Sequence, residues 1–415
     1  MSANIAYLHN DASTLPALFE PDTRNPFIAR AVHLRDRFAE DAIARDRAGG
    51  KPTEQIRLLK ENGLLALLLP REIGGEGETW STVLRITRLF AQVDGSLGHL
   101  FGYHYSSLLG PRLRKEPEKT ADLWRRSVAG NWFWGNTANS FSRSLFGRRD
   151  GEWFVLDGFR PFTSGSHVAD FLAVAWEDPD NGDRRFAAIP SDREGITVED
   201  DWDGIGQRQT GSGRVTYRGV RIHQDEVLGE PAPLNPAGAP AEPYRTVTPL
   251  QQQSVLLNVF IGTAQGALRA AREYTVNQSR PWIHSGVERH TDDPWVRRQY
   301  GELYVKTQSA TALADRALKA LDHVAARGQA LTADERGEAA VKIAAANVLA
   351  GEVALQVASE IFEVTGARSA VRKHGLDRFW RNARIHTLHN PAEYKTRNVG
   401  RWFLGEGHPA PGTFQ

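Results

Sequence analysis

The pattern of apolar residues changes twice along the chain, and this change limits the possible folds more than any other feature. In residues 25–124, apolar side chains recur at three- and four-residue spacings, the period of amphipathic helices. Residues 131–229 instead contain short segments rich in β-branched and aromatic side chains, and long Ala- and Leu-rich segments with a helical period follow. The sequence therefore predicts a mainly α protein with a middle β domain between two helical regions.

The middle region contains four predicted strands, at residues 153–156, 171–176, 185–189 and 215–220. Two turn signals lie between them, Asp150-Gly151 and Asp180-Asn181-Gly182, and such residues suit the tight turns that join antiparallel strands. In the first helical region, a proline and two glycines at residues 70–75 predict a loop between two groups of helices.

The last region is predicted to form an antiparallel helix bundle from segments 264–278, 303–327 and 335–365. Thr332 and Glu335 form a capping box before the third segment, and Gly366 is a C-cap candidate after it. The proline-rich segment that precedes the bundle predicts a linker or mobile flap. We therefore divide the chain into an N-terminal helical domain, a middle β domain, a linker and a C-terminal bundle, at residues 1–130, 131–229, 230–247 and 248–415.

Composition excludes several classes of function. The chain of 415 residues has no cysteine, so disulfides, thiolate nucleophiles and iron–sulfur clusters are excluded, and redox chemistry would need a bound cofactor. Its 51 basic and 50 acidic residues give a net charge of +1, so no global field favours nucleic acid or anionic lipid. We find no secretory signal pattern, and the longest apolar run, residues 63–70, is too short to span a membrane. The sequence predicts a cytoplasmic protein.

Common nucleotide and hydrolase motifs are absent. Gly204-Ile-Gly206 is not followed by the third glycine of a dinucleotide fingerprint, and neither a phosphate-binding loop nor a Gly-x-Ser-x-Gly elbow occurs. We therefore do not expect the chain to bind its own nicotinamide dinucleotide.

Histidines are the best titratable candidates, and they occur in two groups, His99 with His104 and His386 with His389. We place each group at the end of an element. Each histidine could have a purely structural role, and the spacing of the second group also fits two ligands of a metal on one helix face. Aromatic side chains are dense around the β region and could pack the core or stack on a planar cofactor; they are Trp132, Phe133, Trp134, Phe162 and Trp202.

Five longer motifs together resemble one known family. They are Asp94-Gly-Ser-Leu-Gly-His99-Leu-Phe-Gly-Tyr103-His104, Trp134-Gly-Asn136, Phe162-Thr-Ser164-Gly165, Asp201-Trp202-Asp-Gly-Ile-Gly206-Gln-Arg-Gln-Thr210 and Asp377-Arg-Phe-Trp-Arg-Asn-Ala-Arg-Ile-His386-Thr-Leu-His389. The chain closely resembles the dibenzothiophene monooxygenases from about residue 45 to its C-terminus. These flavin-dependent enzymes have the acyl-CoA dehydrogenase fold, with an N-terminal helical domain, a β-barrel or sandwich domain and a C-terminal four-helix bundle.

The resemblance implies specific roles for residues of this chain. Phe162, Thr163 and Ser164 would lie beside the flavin ring, with Ser164 near its central-ring nitrogen and Trp202 against the isoalloxazine. Arg280 and Arg368 would hold the flavin phosphate, Arg368 from a neighbouring subunit, because arginine forks suit phosphate. The polar cluster around the oxygen-reacting carbon of the flavin would consist of His99, Tyr103, Asn136, His386 and His389.

The implied cofactor is reduced FMN, with FAD as the alternative, supplied by a separate flavin reductase. The flavin would react with molecular oxygen to give a 4a-hydroperoxide, which passes one oxygen atom to an aromatic substrate such as dibenzothiophene, benzothiophene or indole. A neutral imidazole would donate one hydrogen bond to the peroxide and accept another from Ser164 or Tyr103. No metal is expected, and the implied assembly is a homotetramer.

Two rival functions share this fold. A true acyl-CoA dehydrogenase resembles the chain at Gly158-Phe-Arg-Pro-Phe162-Thr-Ser164, but commonly uses a glutamate base where this chain has Asn390, which cannot abstract a proton. A non-catalytic helical oligomer is the other rival, and the retained polar cluster argues against it. The segment 137–143, Asn390 and the proline-rich segment depart from the desulfurisation enzymes, so they bear on the choice of substrate more than on the flavin chemistry.

Overall fold

The computed structural model describes residues 17–139, 142–232 and 242–412. Within these ranges, helices come first, seven strands follow, and five further helices end the chain. The helices are α1 (Pro26–Ala39), α2 (Ala42–Ala48), α3 (Thr53–Glu61), α4 (Trp80–Ala91), α5 (Gly95–Leu108), α6 (Pro117–Ala129), α7 (Thr248–Asn277), α8 (Pro294–Arg327), α9 (Ala333–Thr365), α10 (Asp377–Thr387) and α11 (Ala392–Phe403). The strands are β1 (Trp134–Thr137), β2 (Leu145–Asp150), β3 (Trp153–Arg160), β4 (Phe171–Glu177), β5 (Arg184–Pro190), β6 (Ile196–Val198) and β7 (Val215–His223). The predicted order of helical, β and helical regions is confirmed.

All four predicted strands are present, and they belong to one sheet. Its order is β1-β4-β2-β3-β7-β6, with β5 also paired to β4. The two turn signals join β2 to β3 and β4 to β5, and both of these pairs are antiparallel. The sheet has its own apolar core, which includes Leu156, Trp176 and Ile222.

The N-terminal helices begin and end where local chemistry requires. The side chain of Asn25 caps α1 by accepting the N–H of Phe27 at 2.9 Å, and Asp94 caps α5 in the same way at Ser96. The predicted loop at 70–75 contains a short 3-10 turn that ends at Gly74, where φ is 90°. A residue with a side chain would be strained at that angle.

The C-terminal bundle is built on α7, α8 and α9, and the shorter α10 and α11 pack along α9. The predicted capping box of Thr332 and Glu335 and the predicted C-cap at Gly366 are both confirmed at the ends of α9. Among the described residues, α9 is also the one helix long and apolar enough to cross a membrane, and 61% of its most apolar window is buried. The core helix of a bundle has the same character.

Helix α5 lies at the centre of the molecule, and all fourteen of its residues are buried. It contacts α4, α7, α10 and β1. Gly102 permits the close approach of α7, because a Cβ there would lie 2.4 Å from a methyl carbon of Val255. Polar side chains on α5 are therefore held where the helical and β regions meet.

The predicted linker or flap at 230–247 lies largely outside the described residues. At its described ends, Ala232 pairs with Arg184 of β5, and a 3-10 turn over Pro243–Thr246 leads directly into α7.

Candidate active site

The first histidine group lies inside α5, and the prediction that it occupies the end of an element is wrong. Gly98 and Gly102 lie inside the helix because α4 packs closely against the first and α7 against the second. The second group does fall at a helix end, with His386 in the last turn of α10 and His389 just after it.

His104 has a structural role. Its Nδ1 accepts the backbone N–H of Trp134 at 3.0 Å, so its Nε2 carries the hydrogen and donates to the Leu65 carbonyl at 2.9 Å. The ring is fully buried, stacks on Phe133 and has its pKa lowered to about 4 by burial. It joins β1 to α5 as a neutral imidazole.

His99, Tyr103 and His386 form a second aromatic cluster, which we call the helical wall. The ring of His99 stacks on Tyr103, with centroids 4.1 Å apart, and on His386, with centroids 4.7 Å apart. All three side chains are buried. Both nitrogens of His99, the hydroxyl of Tyr103 and Nδ1 of His386 have no hydrogen-bond partner among the described residues. Such atoms are costly in a core and are typical of a site that binds a polar ligand.

Burial keeps the helical wall uncharged. It lowers the pKa of His99 to about 3 and lowers that of His386 well below the usual value, and the nearby His389 adds to both shifts. Burial also raises the pKa of the Tyr103 hydroxyl. At neutral pH each imidazole therefore has one N–H donor and one free lone pair, and the phenol keeps its proton.

His389 lies beside this cluster, and its side chain is exposed. The surrounding protein and the charge of Lys395 lower its pKa, while a hydrogen bond with Asn390 acts in the opposite direction. Lys395 is buried, donates to Asn390 Oδ1 at 2.9 Å and to Asn347 Oδ1 at 2.7 Å, and has its pKa lowered to about 8 by burial. Asn390 thus accepts a hydrogen bond from Lys395, and its amide cannot act as a base.

A second part of the candidate site is formed by segments 162–164 and 202–212, which we call the loop wall and which hydrogen-bonds to α5 and α10. The Oγ of Ser164 lies 2.7 Å from the Oγ of Ser212, which in turn lies 2.7 Å from Oγ1 of Thr210. Thr210 donates to the Gln207 carbonyl at 2.8 Å. Ser164 therefore bonds to another hydroxyl in this structure, and the implied hydrogen bond to an imidazole from Ser164 or Tyr103 stays a prediction.

Two residues of the loop wall have positive φ although neither is glycine, Phe162 at 56° and Gln207 at 53°. Such conformations are strained and cluster at functional sites. The Gln207 carbonyl accepts the indole N–H of Trp202 at 2.9 Å, which fixes that ring. The ring of Phe162 is 65% exposed and meets Trp202 edge-on at 6.5 Å.

The loop wall is attached to the helices that form the helical wall. The backbone N–H of Gln207 donates to Oδ1 of Asn382 in α10 at 2.7 Å, and that of Gln209 donates to Oγ of Ser96 in α5 at 3.3 Å. Asn136 of β1 donates its backbone N–H to the Ser164 carbonyl, and its Oδ1 accepts the N–H of Ala138. Its Nδ2 then remains as a donor near Ser164.

The structure distinguishes the two roles that were open for the aromatic residues. Phe133 and Trp134 are buried in the core, and Trp132 stacks on Phe171 at 4.3 Å. Phe162 and Trp202 keep accessible surface and are the ones available to a planar ligand. The side chain of Thr163 is fully buried and donates to the Gly213 carbonyl at 3.0 Å, so it fixes the loop.

Arg280 and Arg368 lie near one another but far along α7 from the helical wall of the same chain. Arg368 donates to the carbonyl of Gln278, two residues before Arg280. Phe260, which contacts His386 edge-on, precedes the end of α7 by 17 residues, or roughly 25 Å of helix. The two arginines are exposed at that far end.

No group of three or more His, Asp or Glu side chains placed to hold a metal occurs in the part of the chain that the structure describes. His386 is oriented by its stack on His99.

Three residues of the site were not singled out from the sequence: Gln207, Ser212 and Lys395. Thr210 and Ser212 are brought together by the left-handed turn at Gly211, where φ is 55°, and no period along the sequence indicates it. Nothing in the sequence distinguishes Lys395 from a surface lysine.

Comparison with known proteins gives consistent matches. Models of the N-terminal and C-terminal domains of acyl-CoA dehydrogenases match residues 31–115 and 255–393. The chain is 40% identical to a dibenzothiophene monooxygenase of Rhodococcus qingshengii, covering 94% of this chain and 95% of the relative. It is 39% identical to a probable FMNH2-dependent monooxygenase, SfnC, of Pseudomonas putida, covering 93% and 96%.

Among solved structures, TdsC of Paenibacillus sp. A11-2 in complex with FMN and indole superposes with a TM-score of 0.89 at 37% identity. The match covers 94% of this chain and all of that one. The residues of the helical wall fall within the two matched domain models.

Proposed function

The chain belongs to the reduced-flavin-dependent monooxygenases that have the acyl-CoA dehydrogenase fold, and from this premise we propose that it is the oxygenase component of a two-component system. It takes up reduced FMN from a separate flavin reductase and transfers one atom of molecular oxygen to an aromatic heterocycle such as dibenzothiophene, benzothiophene or indole. When bound, reduced FMN supplies the electrons that activate oxygen.

One observation carries this proposal. The helical wall holds four buried polar atoms with no partner among the described residues, and the loop wall next to it has an exposed ring at Phe162 and a fixed ring at Trp202. A planar ligand with polar reacting atoms would hydrogen-bond to the unpartnered atoms of the helical wall and stack on the rings of Phe162 and Trp202. The residues present therefore fit a flavin, which Phe162, Ser164 and Trp202 would contact.

The side chains around this position would protect the reacting atoms and move protons. His99, His386 and His389 are held neutral, so they bring no charge into the site. Both nitrogens of His99 have no partner among the described residues, so this imidazole can donate one hydrogen bond and accept another. Asn136 adds a donor through Nδ2. His99, Tyr103 and His386 are buried, so this side of the site is shielded from water.

A dehydrogenase function is disfavoured by the contacts of Asn390. Its Oδ1 accepts from buried Lys395, and an amide has no proton affinity suited to removing an α-proton. For a non-catalytic oligomer, the unpartnered atoms of the helical wall would destabilise the fold and bring no benefit.

We also propose a homotetramer in which a neighbouring subunit supplies the phosphate site. Arg280 and Arg368 are roughly 25 Å along α7 from the helical wall, farther than the ribityl phosphate of one flavin extends from its ring. A site shared between subunits makes a specific prediction for mixed assemblies. At a concentration of reduced FMN that is too low for Arg368→Ala to bind, co-assembly of His389→Ala and Arg368→Ala subunits should restore activity that neither variant shows alone. A fully active monomer in sedimentation would contradict this arrangement.

The catalytic proposal is tested by turnover with reduced FMN generated by an added reductase. The expected result is one oxygenated product per reduced FMN with at least one of the three heterocycles, and no product when the reductase is omitted. The protein should purify with little flavin, and we expect it to reside in the cytoplasm. Activity with a nicotinamide dinucleotide in the absence of flavin and reductase would contradict the proposal.

A further inference from the structure

The hydroxyl groups of the loop wall form a chain in which the position of each hydrogen can be deduced. A carbonyl oxygen only accepts, so the 2.8 Å contact between Thr210 Oγ1 and the Gln207 carbonyl requires the single hydrogen of Thr210 to lie between them. Without it, two oxygens would face each other at that distance and repel. Thr210 is therefore the donor at this end of the chain.

The donor in each of the next two hydroxyl contacts follows from this one. Thr210 has used its hydrogen, so the 2.7 Å contact with Ser212 is a bond that Ser212 donates. Ser212 has then used its own hydrogen, and the 2.7 Å contact with Ser164 is one that Ser164 donates. The Ser164 oxygen is left with lone pairs only, so toward a ligand it accepts and does not donate.

The loop that holds this chain is rigid. Thr210 and Ser212 are 1% and 8% exposed, so little water can replace either hydroxyl. Gly211 between them has φ of 55°, and a Cβ there would lie 2.0 Å from Nδ1 of His167. The carbonyl of Gly213 accepts from both the backbone N–H and the hydroxyl of Thr163.

Flavin presents different hydrogen-bonding groups at N5 in its two redox states. Reduced flavin carries an N5–H donor, and oxidised flavin has only a lone pair there. We propose that Ser212 and Thr210 are positioning residues that direct the Ser164 hydroxyl away from the flavin, so that the site accepts a hydrogen bond from reduced FMN and offers none to oxidised FMN. This inference rests on the proposed function, and it gives a physical reason for selective capture of the reduced cofactor.

The experiment measures the dissociation constants of oxidised and reduced FMN, the latter without oxygen, and the midpoint potential of bound FMN. Ser212→Ala frees the Ser164 hydrogen to bind N5 of oxidised FMN. Thr210→Val frees the Ser212 hydrogen, which can then turn Ser164 toward N5. Both variants should bind oxidised FMN more tightly and reduce the preference for the reduced form about tenfold, which lowers the midpoint potential by about 30 mV.

Three further variants separate a directed chain from a general effect of lost hydroxyls. Thr210→Ser keeps the donor and should behave as the parent. Ser166→Ala removes a buried hydroxyl that bonds to Thr163 outside the chain and should leave the preference unchanged. Ser164→Ala should reduce the preference by weakening the binding of reduced FMN, without strengthening the binding of oxidised FMN.

A direct readout is the ¹⁵N chemical shift of N5 in labelled oxidised FMN, which reports whether N5 accepts a hydrogen bond. We expect no such bond in the parent and a bond in Ser212→Ala and Thr210→Val. The inference is overturned by a hydrogen-bonded N5 in the parent, or by unchanged preference and potential in both folded variants. A protein that binds neither form of FMN would contradict the proposed function itself, and this inference with it.

Discussion

The two walls of the candidate site differ in how their polar atoms are satisfied. In the loop wall, Ser164, Ser212 and Thr210 form a closed series of hydrogen bonds ending at a backbone carbonyl. In the helical wall, the polar atoms of His99 and Tyr103 are buried and find no partner among the described residues. The hydroxyl series of the loop wall is thus complete before a ligand binds, although Oε1 of Gln207 and Nε of Arg208 in the same wall also lack a partner among the described residues. The nitrogens of His99 and the hydroxyl of Tyr103 have no such series.

This difference suggests that the loop wall positions the cofactor and that the helical wall takes part in the reaction. A closed network fixes its members in one orientation and suits the recognition of a cofactor. Buried atoms without partners cost on the order of 1–3 kcal/mol each, and proteins keep them where a ligand or a reaction needs them. We therefore expect substitutions in the helical wall to change chemistry more than stability.

The largest effect should come from His389→Ala beside the helical wall. Loss of a proton-transfer group should lower coupled oxygenation about 10³-fold, while oxidation of reduced FMN continues and releases hydrogen peroxide. Ser164→Ala in the loop wall should lose only about tenfold, the equivalent of ~1.4 kcal/mol. The measurement is the amount of product and of hydrogen peroxide formed for each reduced FMN that is oxidised, compared between the two variants and the parent. Equal product yields and unchanged peroxide in both variants would remove these residues from the mechanism.

His104→Leu should give the largest change in stability. The substitution leaves the Trp134 N–H and the Leu65 carbonyl buried without partners, which should lower the free energy of unfolding by about 3 kcal/mol. Denaturant unfolding followed by circular dichroism measures it. An unchanged unfolding midpoint would show that His104 does not join β1 to α5 as described.

Arg368→Ala tests the part of the site that lies outside both walls. Loss of a charge-assisted hydrogen bond to phosphate should weaken binding of reduced FMN about 30-fold, without changing the unfolding midpoint. Arg298→Ala is the matched control, because Arg298 is an exposed arginine paired with Glu302 within α8. Equal affinities in the two variants would place the phosphate elsewhere.

The last prediction concerns the pH dependence of stability in His99→Leu. At pH 8 the variant should be at least as stable as the parent, because two buried nitrogens without partners are removed and no hydrogen bond is lost. The pKa of His99 is lowered to about 3 when folded and is about 6.5 when unfolded. Between these values the unfolded chain binds more protons, so the parent loses stability as the pH falls through 6.5, and the advantage of the variant should be about 2 kcal/mol larger at pH 5 than at pH 8. Equal pH dependence of unfolding in both proteins would contradict the shift.

Much of the fold could be predicted from local sequence. The period of the apolar residues gave the three regions, turn dipeptides gave two hairpins, and the pair Thr332 and Glu335 gave the start of α9, because each of these signals acts over a few neighbouring residues. The placement of His99 in α5 could not be predicted locally. Gly98 and Gly102 on either side of it are explained by the contacts of α5 with α4 and α7, which join residues far apart in the sequence.

The site divides in the same way. The sequence by itself selected the candidate side chains, since the histidines, Tyr103, Asn136 and Ser164 were chosen from their motifs, and their catalytic roles stay predictions. Only the tertiary structure shows which of these histidines has a structural role. His99 and His104 are both buried in α5, but only His104 hydrogen-bonds to the backbone of Trp134 and Leu65. The direction of the Ser164 hydroxyl also depends on the tertiary structure. It follows from the Gln207 carbonyl, which accepts the hydrogen of Thr210 and so fixes the donor of each further hydroxyl contact. The sequence alone does not show that these groups are in contact.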